Sequence, residues 1–239
     1  MGVASVQFRS AALGKHVTYE VILPEAGTGP FPVLLQLHGL SDDQSMWIQR
    51  SNLVRHVADY PLIVVLPDGG TSGYLNWRSG DRLWQQRYED LLIEDLPAHV
   101  NRHFRVRPGP WAIGGLSMGG YGAMRLGLKY PDRFASIWAH SSAFMIGERV
   151  DAALVEDAAD ADVYRHASRV ARGTTRSEIA FDCGVDDELI GSNRDFHAHL
   201  DKIGLAHHYA EHPGAHTWDY WDEHVKEALV QHARVLGIA

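Results

Sequence analysis

An α/β architecture, a mostly parallel central β-sheet flanked by helices, is what this sequence predicts. Three observations carry that expectation. Short, β-branched apolar runs alternate with helix-period patterns, and no internal repeat or low-complexity tract interrupts them. The chemically suggestive motifs fall at the junctions between the two patterns. A chain of 239 residues, 45% hydrophobic and 22% charged, suits one globular domain over 1–239 with a sizeable core.

Taken in order, residues 3–8 and 17–23 read as an N-terminal antiparallel pair. Residues 33–37, 62–66, 111–114 and 134–139 are continuous apolar runs, the pattern of strands buried on both faces. Two further strands are expected over 178–183 and 207–211. Between the strands at 62–66 and 111–114, Trp84, Tyr88, Leu91, Leu92 and Phe104 mark an amphipathic helix, and Trp221, Val225, Ala228 and Leu229 mark the last one. Residues 144–175, rich in Ala, Asp and Arg, break the alternation and predict a small helical insertion, either a lid over the strand ends or a solvated surface helix.

Charge and cysteine content exclude some classes. A net charge of -8 opposes a nucleic-acid surface, which carries clustered Lys and Arg. The single cysteine, Cys183, forbids an intrachain disulfide and a Cys-rich metal site. The first ten residues, MGVASVQFRS, lack the charged start and apolar run of a secretory signal, and no later stretch is apolar enough to span a bilayer. A soluble, cytoplasmic protein without membrane partners is expected.

Gly115-Leu116-Ser117-Met118-Gly119 matches GxSxG. Its context matters more than the match: WAIGG reads as a buried strand and GGYGAMRLGLKY as a helix ending before Pro131. A serine on such a strand-turn-helix corner is exposed in a strained turn, and the glycines let the two segments approach closely. A phosphate-binding glycine loop would instead show GxGxxG or a Lys-Ser/Thr ending, and neither is present. Ser117 is therefore the candidate nucleophile.

A serine hydroxyl needs a base, and the base needs an orienting group. Among fifteen histidines, His216 follows the last predicted strand in the loop PGAHTW, from which it can reach back to the sheet edge; His212 is its rival. Serine nucleophiles on this corner are followed by an acid and then the histidine. The segment CGVDDELI supplies Asp186 and Asp187; adjacent turn residues point apart, so one of them faces the base. Asp187 is preferred, with Asp186 in reserve and Glu188 behind it. His38-Gly39-Leu40 follows a strand where a backbone N–H can pair with that of Met118, so Leu40 and Met118 are the expected oxyanion donors. Trp77, in the loop TSGYLNWRSG, and Trp218 are candidates for lining the pocket, although aromatics under a surface loop serve equally as packing.

These pieces, LHGLSDDQSMW, EDLPAHVNRHFRV, GGLSMGGYGAMRLGLKYPDRFAS, CGVDDEL and GAHTWDYW, resemble the esterase D type of α/β-hydrolases, over most of the chain. That group includes tributyrin esterases, feruloyl esterases, S-formylglutathione hydrolases and mycolyltransferases. The resemblance implies an α/β-hydrolase fold, a Ser117-Asp187-His216 triad with Leu40 and Met118 at the oxyanion hole, and a small-molecule ester as substrate. The formylglutathione hydrolases run longer and carry a cysteine-bearing segment after the strand where LHGLSDD stands here; the chain looks more like the compact tributyrin-esterase-type members, and that resemblance implies short acyl esters as substrates. An acyltransferase or a formylglutathione thioesterase using the same triad is the alternative. The histidines at 197, 199, 207, 208, 212 and 216 raise a metal hydrolase as a rival. His197 and His199, two apart on a predicted helix, face different sides, and no HExxH exists. Neither metal nor cofactor is expected, and oligomeric state is left open.

Overall fold

The computed structural model describes residues 1–25, 27–78, 86–173 and 177–239. Strands β1 (Gly2–Arg9) and β2 (His16–Leu23) pair antiparallel, and β3 (Val33–Leu37) leads through α1 (Met46–Arg50) and α2 (Leu53–His56) to β4 (Ile63–Pro67). A two-residue ribbon, β5 (Asn76–Trp77) with β6 (Gln86–Arg87), stands apart from the main sheet. Then α3 (Tyr88–Asp90), a π-helical turn at Leu91–Asp95 and α4 (Leu96–His103) run on as one helical stretch. The rest alternates: β7 (Trp111–Leu116), α5 (Met118–Lys129), β8 (Phe134–His140), α6 (Ile146–Arg149), α7 (Val163–Val170), β9 (Glu178–Gly184), α8 (Ile190–Ile203), β10 (His208–His212) and α9 (Trp218–Leu236).

Among the described residues eight strands make one sheet in the order β1-β2-β4-β3-β7-β8-β9-β10. It is antiparallel from β1 to β4 and parallel from β4 to β10. The chain leaves β3 toward β4 on one side and returns to β7 on the other. Strand order therefore reverses between β3 and β7, and the connections there splay apart beyond the carboxyl ends, opening a crevice.

The continuous apolar strands serve two cores at once. On β3, Val33, Leu35 and Leu37 join one buried cluster and Leu34 the other; on β4, Ile63 and Val65 face one way and Val64 and Leu66 the other. Period-two side-chain alternation thus needs apolar residues at every position when both faces are covered. The first face is covered by α4, α5, α7 and α8, the second by α1, α2 and α9. Each fully buried Leu, Ile or Val contributes about 1.5–3 kcal/mol by leaving water. Helix α5 lies deepest: every residue from Met118 to Leu128 is buried, so its glycines are what let the sheet come close.

The predicted strands are present with their edges moved by a residue or two; the run at 62–66 is Ile63–Pro67, and His207 precedes β10. Of the helix expected over 84–104, Trp84 lies outside the described residues, and the remainder begins at Tyr88. The insertion holds α6, a single turn at Ala158–Asp160 and α7; its residues 174 and 175 also lie outside the described residues. Helix α7 is capped by Asp162, whose carboxylate accepts from Tyr164 and Arg165 N–H, and it packs against α5 and α8 as a flanking helix. Among the described residues no helix is long and apolar enough to cross a membrane.

Candidate active site

Ser117 sits at the corner between β7 and α5 with φ 53° and ψ -116°, a conformation that non-glycine residues adopt only at a cost of about 1–3 kcal/mol. The surroundings hold it there. Its N–H donates to His140 O at 2.9 Å, and its carbonyl accepts from Ala143 N at 3.1 Å and Tyr121 N at 3.0 Å. A Cβ on Gly119 would stand 2.5 Å from His38 O, and one on Gly115 would stand 2.5 Å from Gly119 O. The two glycines of the motif are therefore a requirement of close backbone approach.

The base and acid arrive on neighbouring loops at the carboxyl ends of β9 and β10. Val185 N donates to His212 O and Asp186 N to Gly214 O, both at 2.9 Å, so the loops are stitched together. Gly214, at φ 137°, turns the second loop back toward the sheet, and α9 begins just after His216. His216 Nε2 lies 3.0 Å from Ser117 Oγ and its Nδ1 lies 2.8 Å from Asp187 Oδ2. Leu189 N–H donates to the other Asp187 oxygen at 2.8 Å. Burial pushes the Asp187 carboxyl upward, but the hydrogen bonds from His216 and Leu189 outweigh it and hold the group below the usual carboxylate range. Asp187 is 2% exposed, whereas Asp186 and Glu188 face solvent. His212, the alternative base, ends β10 with its ring stacked on His224 at 4.0 Å, directed toward α9.

The loop bearing Leu40 is fixed by its strand-end histidine. Gly69 N–H donates to His38 Nε2 at 2.8 Å, so the ring proton is on Nδ1, which donates to Gly39 O at 2.7 Å. Tyr74 Oη donates to His38 O at 2.8 Å, and Trp47 Nε1 to Leu37 O at 2.9 Å. With both nitrogens engaged, His38 is a structural residue. Met118 opens α5, where first-turn N–H groups have no partner within the helix and the helix dipole favours negative charge.

A cavity of about 340 Å³ opens over Ser117 and His216, lined by Gly39, Leu40, Leu116, Thr217 and Trp218, and by Trp221, Asp42 and Arg50. Trp218 is in this lining, edge-on to Trp47 and Trp221. Trp77 is not in this lining: its Nε1 donates to Ser72 O at 2.7 Å and its ring packs with Leu75 and Val155. None of the insertion's described residues lines this cavity. Leu116 and Thr217 could have been found as chain neighbours of Ser117 and His216. Asp42, whose carboxyl burial pushes up, and Arg50 carry no motif and are gathered only by the fold.

A parallel sheet with a serine on the corner after a central strand, a histidine 3.0 Å away and a buried carboxylate behind it defines the α/β-hydrolase class. The chain belongs to the family described as "Putative esterase", which matches residues 10–232, and is a serine ester hydrolase acting on small-molecule esters. An acetyl esterase of Caldicellulosiruptor saccharolyticus is 28% identical, covering 96% of this chain and 97% of its own. Fluorophosphonate-binding serine hydrolase F of Staphylococcus aureus superposes with a TM-score of 0.85 at 25% identity, over 98% of both chains. An S-formylglutathione hydrolase of Agrobacterium tumefaciens shares the fold at TM-score 0.86 and 22% identity, over 98% of this chain and 95% of that one.

Proposed function

We propose that the chain cleaves short-chain acyl esters, acetyl esters among them, through an acyl-enzyme on Ser117. The observation that carries this reading is the Ser117-His216-Asp187 relay, with its 3.0 and 2.8 Å contacts, set beside a helix N-terminus. Asp187 holds His216 with its proton on Nδ1, so Nε2 accepts the Ser117 proton as Oγ attacks the ester carbonyl. Main-chain N–H groups of Leu40 and Met118 stabilise the oxyanion, and His216 returns the proton to the departing alcohol. Water, activated by the same histidine, then releases the acid. The modest cavity and the acetyl esterase relative support a short acyl group.

A fluorophosphonate adduct located by mass spectrometry, combined with a series of nitrophenyl esters, tests the reading. The expected result is one adduct, on Ser117, with acetyl and butyryl esters turned over faster than octanoyl and longer ones. An adduct on another residue overturns the assignment of the nucleophile; a preference for long chains overturns the acyl class.

A further inference from the structure

The sequence places His197 and His199 on opposite sides of one helix, but the fold brings a different histidine to His197. Helix α8 carries His197 and Asp201 one turn apart on one face, Gly204 ends it at φ 68°, and the chain returns with His207 just before β10. His197 Nδ1 then lies 2.7 Å from His207 Nε2, His207 Nε2 lies 4.0 Å from Asp201 Oδ1, and His197 Nε2 lies 3.6 Å from Asp201 Oδ2. We propose that His197, Asp201 and His207 form a binding site for a divalent transition-metal ion of the zinc class, remote in role from the triad.

The donor set is two imidazoles and a carboxylate, which suits zinc with water as a fourth ligand. His207 is built for ligation. Its side chain is 5% exposed, its ring stacks on Phe181 at 5.8 Å, and its Nδ1 is 2.8 Å from Leu205 O. A carbonyl can only accept, so the proton is on Nδ1 and the Nε2 lone pair points at His197; this backbone tie is the usual partner of a metal-bound histidine. Without metal, His197 Nδ1–H donates to that lone pair. With metal, the His197 proton moves to its own Nε2, beside Asp201, and Nδ1 becomes the second ligand, so no proton leaves the ring. Two nitrogens on a tetrahedral zinc stand roughly 3.3 Å apart. Opening the 2.7 Å contact to that separation asks only a small rotation of the partly exposed His197.

A second cluster, His212, His224 and Glu227, has the same composition but the wrong ring geometry. Its imidazoles stack at 4.0 Å with 19° between planes, so the ring planes converge only far beyond the reach of a metal–nitrogen bond. The His197 and His207 rings meet at 68°, which allows their planes to intersect at one ion.

Zinc titration of the chelator-treated full chain, read by competition with a chromophoric chelator and by thermal shift, tests the site. One zinc per chain is expected, with a raised unfolding temperature and unchanged ester hydrolysis. His197→Ala should weaken binding about a hundredfold and Asp201→Asn about tenfold, while His224→Ala leaves it unchanged. Both substituted side chains are solvent-accessible, so the variants should fold, and their circular dichroism and metal-free melting check that they do. Absence of stoichiometric binding, or affinity lost in His224→Ala and kept in His197→Ala, overturns the proposal.

Discussion

Replacing Asp187 by Asn tests the triad at its least exposed member. The carboxylate has two tasks: one oxygen accepts from Leu189 N–H at 2.8 Å and the other from His216 Nδ1 at 2.8 Å. An asparagine has one acceptor oxygen. The backbone donor at Leu189 cannot turn away, so the oxygen stays with it and the amide NH₂ faces His216. Nδ1 must then accept, the ring proton moves to Nε2, and Nε2–H confronts Ser117 Oγ across 3.0 Å, unable to take its proton. Asp187 is 2% exposed, so water cannot repair the pairing. The loss in kcat should be about four orders of magnitude, or ~5.5 kcal/mol, with KM for nitrophenyl acetate little changed. Asp186→Asn is the control: its side chain is in solvent and it touches the site only through its N–H to Gly214 O, so turnover should stay within about twofold. Retention of near-normal kcat in Asp187→Asn, or an equal loss in Asp186→Asn, would refute the assignment.

Three further outcomes are expected. Ser117→Ala should lower turnover by at least about a thousandfold and abolish fluorophosphonate labelling, while its main-chain bonds to His140, Ala143 and Tyr121 keep the melting curve cooperative. Gly119→Ala places a methyl 2.5 Å from His38 O and 2.6 Å from Leu37 O, backbone atoms that cannot retreat, and should cost about 1–3 kcal/mol in urea denaturation. Glu89→Gln breaks a buried cluster in which Glu89, 4% exposed, meets Arg125 and Lys129 at 2.7 Å and accepts from Tyr130 Oη at 2.6 Å. The loss should be about 3–5 kcal/mol. Burial pushes the Glu89 carboxyl up, but the two cations and Tyr130 pull it down to about 2. Its stabilisation is therefore complete above the unfolded value of about 4.3 and lost as pH falls toward 2. Wild-type stability should drop over that window more steeply than that of Glu89→Gln.

Ser117 was legible because everything that marks it is local. A buried strand, two glycines forced by backbone contact and a helix start within a dozen residues are all written in WAIGGLSMGGYG. His216 was legible by position alone, as the loop histidine after the last strand. Asp187 was preferred over Asp186 from the sequence and its resemblance, but the physical ground lies in packing, since a turn alternates its side chains; the backbone bond from Asp186 to Gly214 O turns Asp187 under His216. Trp77 shows the converse, an aromatic near the right loop that the fold spends on packing.

By itself, then, the sequence determined the two-faced sheet, the serine corner and the order of acid and base, because these depend on periodicity and on steric demands between near neighbours. Only the tertiary structure shows which carboxylate meets His216, that Asp42, Arg50 and Trp221 share a cavity with Ser117, and that His207 meets His197 while His199 does not. Those are outcomes of strand order and helix-to-strand return, which place residues far apart in the chain within a few ångströms and leave no periodic trace in it.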